Sequence, residues 1–264
     1  MALVADKPFG YALRENVRVV SALVVRSAVS RFGESRFGFL WVLIEPALYI
    51  GIYILAHTAL KASMPFGDSA VLFILAGIFG FRMSRGVSRK AEVAISHNHP
   101  LLTYPLVRPI DTIVAAFLLE GTIWLIICAL FIIGLGYTLD RTIIAYPDEL
   151  AACLLAIFYF AFAMATFNAT VGALIPRYLM VFNLMNMPLM FLSGVFFLPS
   201  SFPPEIQWYM SWNPFLHCVE WFRTATYLDY HPVLDKSYLL SLATVLLTIG
   251  LTLERFMRNR IINA

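Results

Sequence analysis

The chain has 264 residues, 60% of them apolar, and only 35 with a full charge (19 Lys and Arg, 16 Asp and Glu), which is 13% where soluble domains carry about 25%. A mean hydropathy of +0.78, with recurrent apolar runs long enough for the roughly 20-residue crossing of a bilayer, excludes an ordinary soluble globule. The net charge of +3 and isoelectric point near 8.8 do not point to nucleic acid, because the basic residues sit in short segments between the apolar runs.

Residues 1–36 carry Lys7, Arg14, Arg18, Arg26, Arg31 and Arg36 without an unbroken apolar core, so no cleavable signal peptide is expected there. Within 9–32, Leu13, Val17, Val20, Val24 and Ala28 recur at steps of three and four while Arg14, Arg18 and Arg26 turn away. That spacing predicts an amphipathic helix lying on the cytoplasmic interface. Apolar windows then fall at 37–60, 70–95, 112–136, 150–175, 178–198 and 238–256, each long enough to span as helix. The expected fold is therefore an all-α integral membrane protein, one domain over 1–264 with six transmembrane helices. Fifteen Lys and Arg flank one side of these windows and four (Lys61, Arg141, Arg223 and Lys236) the other, which places both termini in the cytoplasm.

Between the fifth and sixth windows, residues 199–237 hold five prolines among Trp208, Tyr209, Trp212, Phe215, Trp221, Phe222 and Tyr227. The segment is too broken to span and too apolar for a free loop. It reads either as short re-entrant helices at 200–230, which need protein or a watery cavity around them, or as an aromatic belt at the interface.

Catalytic motifs are missing from the sequence. None of the four lysines follows a glycine, so there is no GxxxxGK[ST] loop and the chain is not itself a P-loop ATPase; its energy comes from a partner or a gradient. There is no HExxH, no GxSxG and no Cys/His spacing of a zinc site around Cys128, Cys153 and Cys218, so neither an enzyme nor a metal site is expected.

Several charged groups fall at expensive depths. Arg82, Arg85 and Arg89 follow the run 70–81 at steps of three and four, with Arg82 roughly 18 Å inside its outer end. They either mark a cytoplasmic helix end or form a basic wall that greets an anionic headgroup. Glu45 and Glu120 lie within the first and third windows, as proton-relay groups of a secondary transporter or channel or as charges that neutralise arginines. His217, Glu220 and Arg223 repeat at three-residue steps, which suits a local charge network better than a metal site. The connection 94–111 bounds Leu101, Leu102 and Tyr104 with prolines; it is either a polar loop or a short helix offering those three to a partner's cleft.

SRFGESRFGFLWVLIEP (30–46), YPLVRPIDTIVAAFLLE (104–120) and WNPFLHCVEWFR (212–223) closely resemble segments of type-2 ABC exporter permeases of the KpsM-like class, which export capsular polysaccharide. The similarity covers nearly the whole chain and keeps the order and spacing of all six windows. It implies a homodimeric permease in the bacterial inner membrane, with two copies of a cytoplasmic ATP-binding subunit that carry ATP and magnesium, so that the chain itself holds no cofactor. It also implies a lipid-linked, acidic polysaccharide as substrate, and a periplasmic adaptor and an outer-membrane exporter as further partners. On this resemblance 9–32 is the interface helix. His97, Asn98, His99, Pro100, Leu101, Leu102 and Tyr104 form the ATPase coupling helix, and 200–230 holds the paired re-entrant helices. The path is expected to be lined by Arg82, Arg85 and Arg89 and by the aromatics Trp41, Tyr49, Trp208, Trp212 and Tyr227, whose ring faces let a sugar polymer slide.

Overall fold

The computed structural model of the chain describes residues 9–32, 66–67, 69–104, 106–140 and 142–262, together with Ile44, Leu48, Gly51, Ile52 and Leu55. The described residues form helices and their connections, with no strand among them. Proline opens five of the helices, at Pro109, Pro147, Pro176, Pro204 and Pro214, where its missing N–H has no intrahelical partner to lose and its fixed φ suits the first turn. The window 37–60, with Trp41, Glu45 and Tyr49, lies outside the described residues except for the five just named.

Helix α1 runs Phe9–Phe32. The next rod is compound: α2 (Ala70–Phe81), a π turn (Arg82–Gly86), α3 (Val87–Glu92) and α4 (Ala94–His97) form one helical run of 28 residues. A 3-10 turn, His99–Thr103, leads to α5 (Pro109–Leu139), whose first turn is capped by Asp111 accepting from the Arg108 amide at 2.9 Å. Helix α6 is Pro147–Leu174 and α11 is Lys236–Ile262. The rods Ala70–His97, α5, α6 and α11 are each long and apolar enough to cross a membrane, four such helices among the described residues.

The expected fifth span, 178–198, is not one helix. Its residues form α7 (Pro176–Leu184) and α8 (Asn186–Leu192), which meet at a turn on Met185, and the chain continues irregularly to Leu198. Pro188 explains the break: it cannot donate to the Leu184 carbonyl, and its ring crowds that oxygen. After a 3-10 turn, Pro199–Ser201, come α9 (Pro204–Ser211) and α10 (Pro214–Thr226).

The rod from Ala70 is the most enclosed of the four, with 78% of its most apolar window buried against 22% for α11. Helix α10 packs along α2, and Gly80 permits that contact, because a Cβ there would come within 2.7 Å of the Val219 Cα and 2.8 Å of the Cys218 carbonyl. Phe81 and Phe160 each meet the Phe215 ring, at 5.5 and 5.4 Å, so the start of α10 is wedged between α2 and α6. Helices α6 and α11 approach just as closely at Gly250, whose Cβ would lie 2.8 Å from the Phe167 amide nitrogen. Small residues at such crossings let helices in lipid gain packing energy where no hydrophobic drive exists. A second, smaller core of Ala91, Ile95, Leu102, Ile113, Ala165, Ala169 and Ile261 closes the end of the bundle at the 99–103 turn.

Replacing Gly80 by Val is expected to overpack the α2–α10 contact at about 1–3 kcal/mol and to lower the thermal midpoint of the detergent-extracted protein by several degrees. Gly134, where an added Cβ would meet nothing within 4 Å, is the control. Gly134→Ala should leave the midpoint unchanged or raise it, as read by fluorescence-detected size-exclusion after heating.

Candidate translocation site

Arg85 is the centre of a polar lattice inside the bundle. The π turn and the helix after it bring its guanidinium to Glu92, two turns on, with Nη1 donating to Oε2 at 3.0 Å and Nη2 to Oε1 at 3.3 Å. Nη2 also donates to Asn183 Oδ1 at 2.9 Å, and Phe182 lies under the guanidinium carbon at 4.7 Å. The Asn168 amide donates to Glu92 Oε2 at 2.9 Å, and Tyr178 Oη donates to Asn168 Oδ1 at 2.8 Å. Ser84 completes the wide turn, its hydroxyl shared between the carbonyls of Gly80 and Phe81 at 2.8 and 2.9 Å. Two rods, that from Ala70 and α6, and α7 thereby meet at one ion pair.

This arrangement corrects the picture of three arginines on one open face. Arg85 is 1% exposed and engaged, Arg82 is half-buried and Arg89 is exposed, because the five-residue π turn swings Arg82 and Arg85 apart. Arg82 and Arg89 do border a cavity of about 90 Å³, together with Arg31, Lys90, Glu120, Trp124 and Asn186, and Arg85 reaches its edge. Glu120 is ion-paired there with Arg31 of α1.

A second ion pair sits in α10. Arg223 Nη1 donates to Glu220 Oε1 at 3.2 Å, both side chains being fully buried, and Phe73 stacks 3.8 Å from the guanidinium carbon. Nη2 of Arg223 donates to the Val195 carbonyl at 3.0 Å and Nη1 also to that of Phe197 at 3.4 Å, while Glu220 accepts from Tyr230 Oη at 2.8 Å and the Val233 amide at 3.0 Å. Burial pushes the Glu220 carboxyl above its ordinary range, and Arg223 opposes that shift. His217 belongs to the same helix: its Nδ1 accepts from the Asp235 amide at 3.1 Å, which leaves Nε2 as the donor to the Ser211 carbonyl at 2.8 Å. Burial holds this imidazole below its ordinary value of 6.5. No group of three or more metal-ligating side chains occurs among the described residues.

The expected aromatic lining divides. Trp208 and Trp212 are exposed and meet edge to face at 5.7 Å, with Tyr209 at 5.0 Å from Trp208. Tyr227, in contrast, is a core residue: it is buried, its ring packed edge-on to Phe66 at 5.4 Å, so it offers no open face. The ATPase-contact segment divides as well. Leu102 does not point outward; it is 4% exposed and anchors the small core, while Leu101 is half-buried. The apolar groups the turn leaves open are Tyr104 at 62% and Leu106 at 61%. Asn98 is taken by Arg26 of α1, donating to its Oδ1 at 3.1 Å, which ties α1 to the turn.

Glu92, Asn168, Tyr178, Asn183 and Tyr230 escaped the sequence reading. Glu92 had a signal, since a glutamate seven residues after Arg85 shares its helical face. Asn168 was a lone amide in an apolar window, where polar side chains pair between helices.

The fold and these buried polar groups define a polytopic helical membrane protein with charge held inside the bundle. The chain belongs to the ABC-2 type transporter family, whose model matches residues 18–227. It is similar to the polysialic acid transport protein KpsM of Escherichia coli, 30% identical over 89% of this chain and 92% of that protein. It is also similar to the capsule polysaccharide export inner-membrane proteins CtrC of Neisseria meningitidis serogroup B (29% identical, 89% of each chain) and BexB of Haemophilus influenzae (28%, covering 84% and 83%).

Two outcomes follow from the α10 geometry. Arg223→Met strands a buried carboxylate and is expected to cost about 3–5 kcal/mol, seen as loss of monodisperse extracted protein, with partial recovery in the double variant that adds Glu220→Gln. As pH falls through 6.5, an unfolded His217 takes up a proton that the folded one refuses, so the segment 213–238 loses stability on the acid side. Hydrogen exchange of that segment should rise from pH 7.5 to pH about 5.5 in the wild type, and the rise should be smaller in His217→Gln.

Proposed function

We propose that this chain is the membrane-spanning subunit of an ATP-driven exporter that carries lipid-linked, acidic capsular polysaccharide across the bacterial inner membrane. The observation that carries the reading is the match along nearly the whole chain to polysaccharide export proteins in a sequence with no phosphate-binding loop. ATP and magnesium then belong to two copies of a separate cytoplasmic subunit, and this chain is a translocation subunit with no cofactor of its own.

The working unit is a homodimer of a single six-span domain with both termini cytoplasmic, a topology supported by the 15-to-4 division of basic residues. Helix α1 lies at the cytoplasmic interface, a placement supported by its exposed Leu13, Val17, Val25 and Val29 beside Arg18 and its tie to Asn98. Helices α9 and α10 re-enter the outer leaflet. In support, α10 starts beside Phe81 and Phe160, each more than ten residues from either end of its rod, and ends where the Ala225 carbonyl accepts from the Ala145 and Tyr146 amides of an outer loop. The exposed Trp208, Tyr209 and Trp212 offer ring faces on which sugar CH groups stack without one fixed hydrogen-bond pattern. At the other end of the path, Arg31, Arg82, Arg89 and Lys90 line one cavity with Glu120, a set of basic groups suited to an acidic headgroup. No nucleic acid is involved; a periplasmic adaptor and an outer-membrane exporter complete the route. The rival reading, a channel or secondary transporter working through Glu45 and Glu120, is not favoured, since Glu120 is held by Arg31 and the family is ATP-driven.

The ATPase contact runs through the turn His99–Thr103 and the exposed Tyr104 and Leu106. Tyr104→Asp with Leu106→Asp is expected to abolish copurification of the ATPase and surface capsule while the permease still inserts and extracts normally. A double variant that keeps a stoichiometric ATPase moves the contact elsewhere. Deletion of the chain should trap polysaccharide in the cytoplasm; unchanged surface capsule in the deletion strain would remove the export assignment itself.

A further inference from the structure

The lattice around Arg85 connects two parts of the molecule that the proposed function requires to move together. Glu92 closes α3, seven residues ahead of the turn His99–Thr103 that faces the ATPase. On the far side of the lattice stands α7, nine residues with a break at each end: Ile175 is extended, at φ −128° and ψ 90°, and Met185 turns the chain. None of its described side chains is fully buried, and Met180, Val181 and Leu184 are largely exposed. Among the described residues, its side-chain hydrogen bonds to the other helices are Tyr178 Oη to Asn168 and Asn183 Oδ1 from Arg85. A cavity of about 320 Å³, lined in part by Glu92, Ser96, His99, Gly172 and Leu179, lies between α7 and the turn.

We infer that Tyr178 and Asn183 are positioning residues, which carry displacement of the ATPase-contact turn to α7 through Glu92, Arg85 and Asn168. Apolar packing holds a half-exposed helix weakly, whereas hydrogen bonds to an ion pair in low dielectric are strong and directional, so α7 follows its polar handle. The breaks at Ile175 and Met185 let it turn as a unit, and the cavity leaves it room. Arg85 and Glu92 thus do more than neutralise one another: they make α3 and α7 one body across an otherwise loose contact. The inference rests on the proposed export function.

The test uses the full chain with its ATPase subunit, in cells and as the purified complex. Tyr178→Phe with Asn183→Leu cuts both bonds to α7 and leaves the Arg85–Glu92 pair intact. It is expected to assemble and to hydrolyse ATP at the wild-type basal rate while surface polysaccharide per ATP hydrolysed falls about two- to thirty-fold, the range that changes along coupled networks produce. Arg85→Met with Glu92→Leu replaces the pair by apolar groups of similar size, which buried ion pairs tolerate, and should uncouple in the same way. Tyr178→Phe alone removes a single oxygen and should give an intermediate loss even if either double variant fails to fold. A purely structural lattice predicts the opposite: every variant that assembles would export at the wild-type ratio, and that result overturns the inference. The underlying reading fails separately, if the deletion strain keeps its surface capsule.

Discussion

A bilayer leaves no water to solvate an isolated charge, and that constraint organises this bundle around Arg85 and Arg223. Each arginine finds its carboxylate on its own helix, Glu92 seven residues on and Glu220 three residues back, so the charge is neutralised before any other element is placed. The donors left over then reach outward. Those of Arg85 fix α7 through Asn183, and those of Arg223 fix the carbonyls of Val195 and Phe197. The irregular backbone after α8 survives inside the bundle because a guanidinium supplies the hydrogen bonds that a helix would have supplied. Replacing either pair by apolar residues would remove a desolvation cost, so the pairs are poor explanations of stability taken alone. Their geometry explains their presence better, since each ties three or more elements to one point.

Much of the helical layout was legible in the sequence. Hydropathy found the rods from Ala70, Pro109, Pro147 and Lys236, and the prolines marked where helices begin. The break in the 178–198 window was readable from Pro188, but a window average weighs one proline lightly against many apolar neighbours. The π turn was not readable. Its one-residue excess is settled by what Arg85 and Ser84 meet in three dimensions, and it spoils a face assignment built on a regular 3.6-residue period. Leu102 and Tyr227 misled for a related reason: an apolar side chain in a connecting segment looks available until the helices that cover it are placed. Trp41, Glu45 and Tyr49 lie outside the described residues.

Burial is unequally shared among the elements, and the inequality carries functional meaning. The rod from Ala70 is enclosed on nearly every side, whereas α7 and α8 expose Met180, Val181, Leu184, Met187 and Phe191. Lipid, or the second copy in the proposed homodimer, covers such faces at little cost, so these segments can follow a displacement of the enclosed rod, to which Asn183 of α7 is hydrogen-bonded. The methionines among them fill changing shapes more readily than branched side chains do.

The two ends of the proposed path also differ in chemistry in the order a polysaccharide exporter needs. A charged headgroup entering a low-dielectric region must be drawn by fixed opposite charge, and the cavity beside Arg82 and Arg89 is lined by several guanidinium and ammonium groups at the end of the rod that leads to the turn proposed to meet the ATPase. A sugar chain leaving the membrane needs weak, repeated, forgiving contacts, and the edge-to-face cluster of Trp208, Tyr209 and Trp212 offers them in series. Reversing the two would trap the polymer at its exit and leave its headgroup without a partner at the entrance. The direction of transport proposed for the chain thus agrees with where charge and aromatic surface are placed.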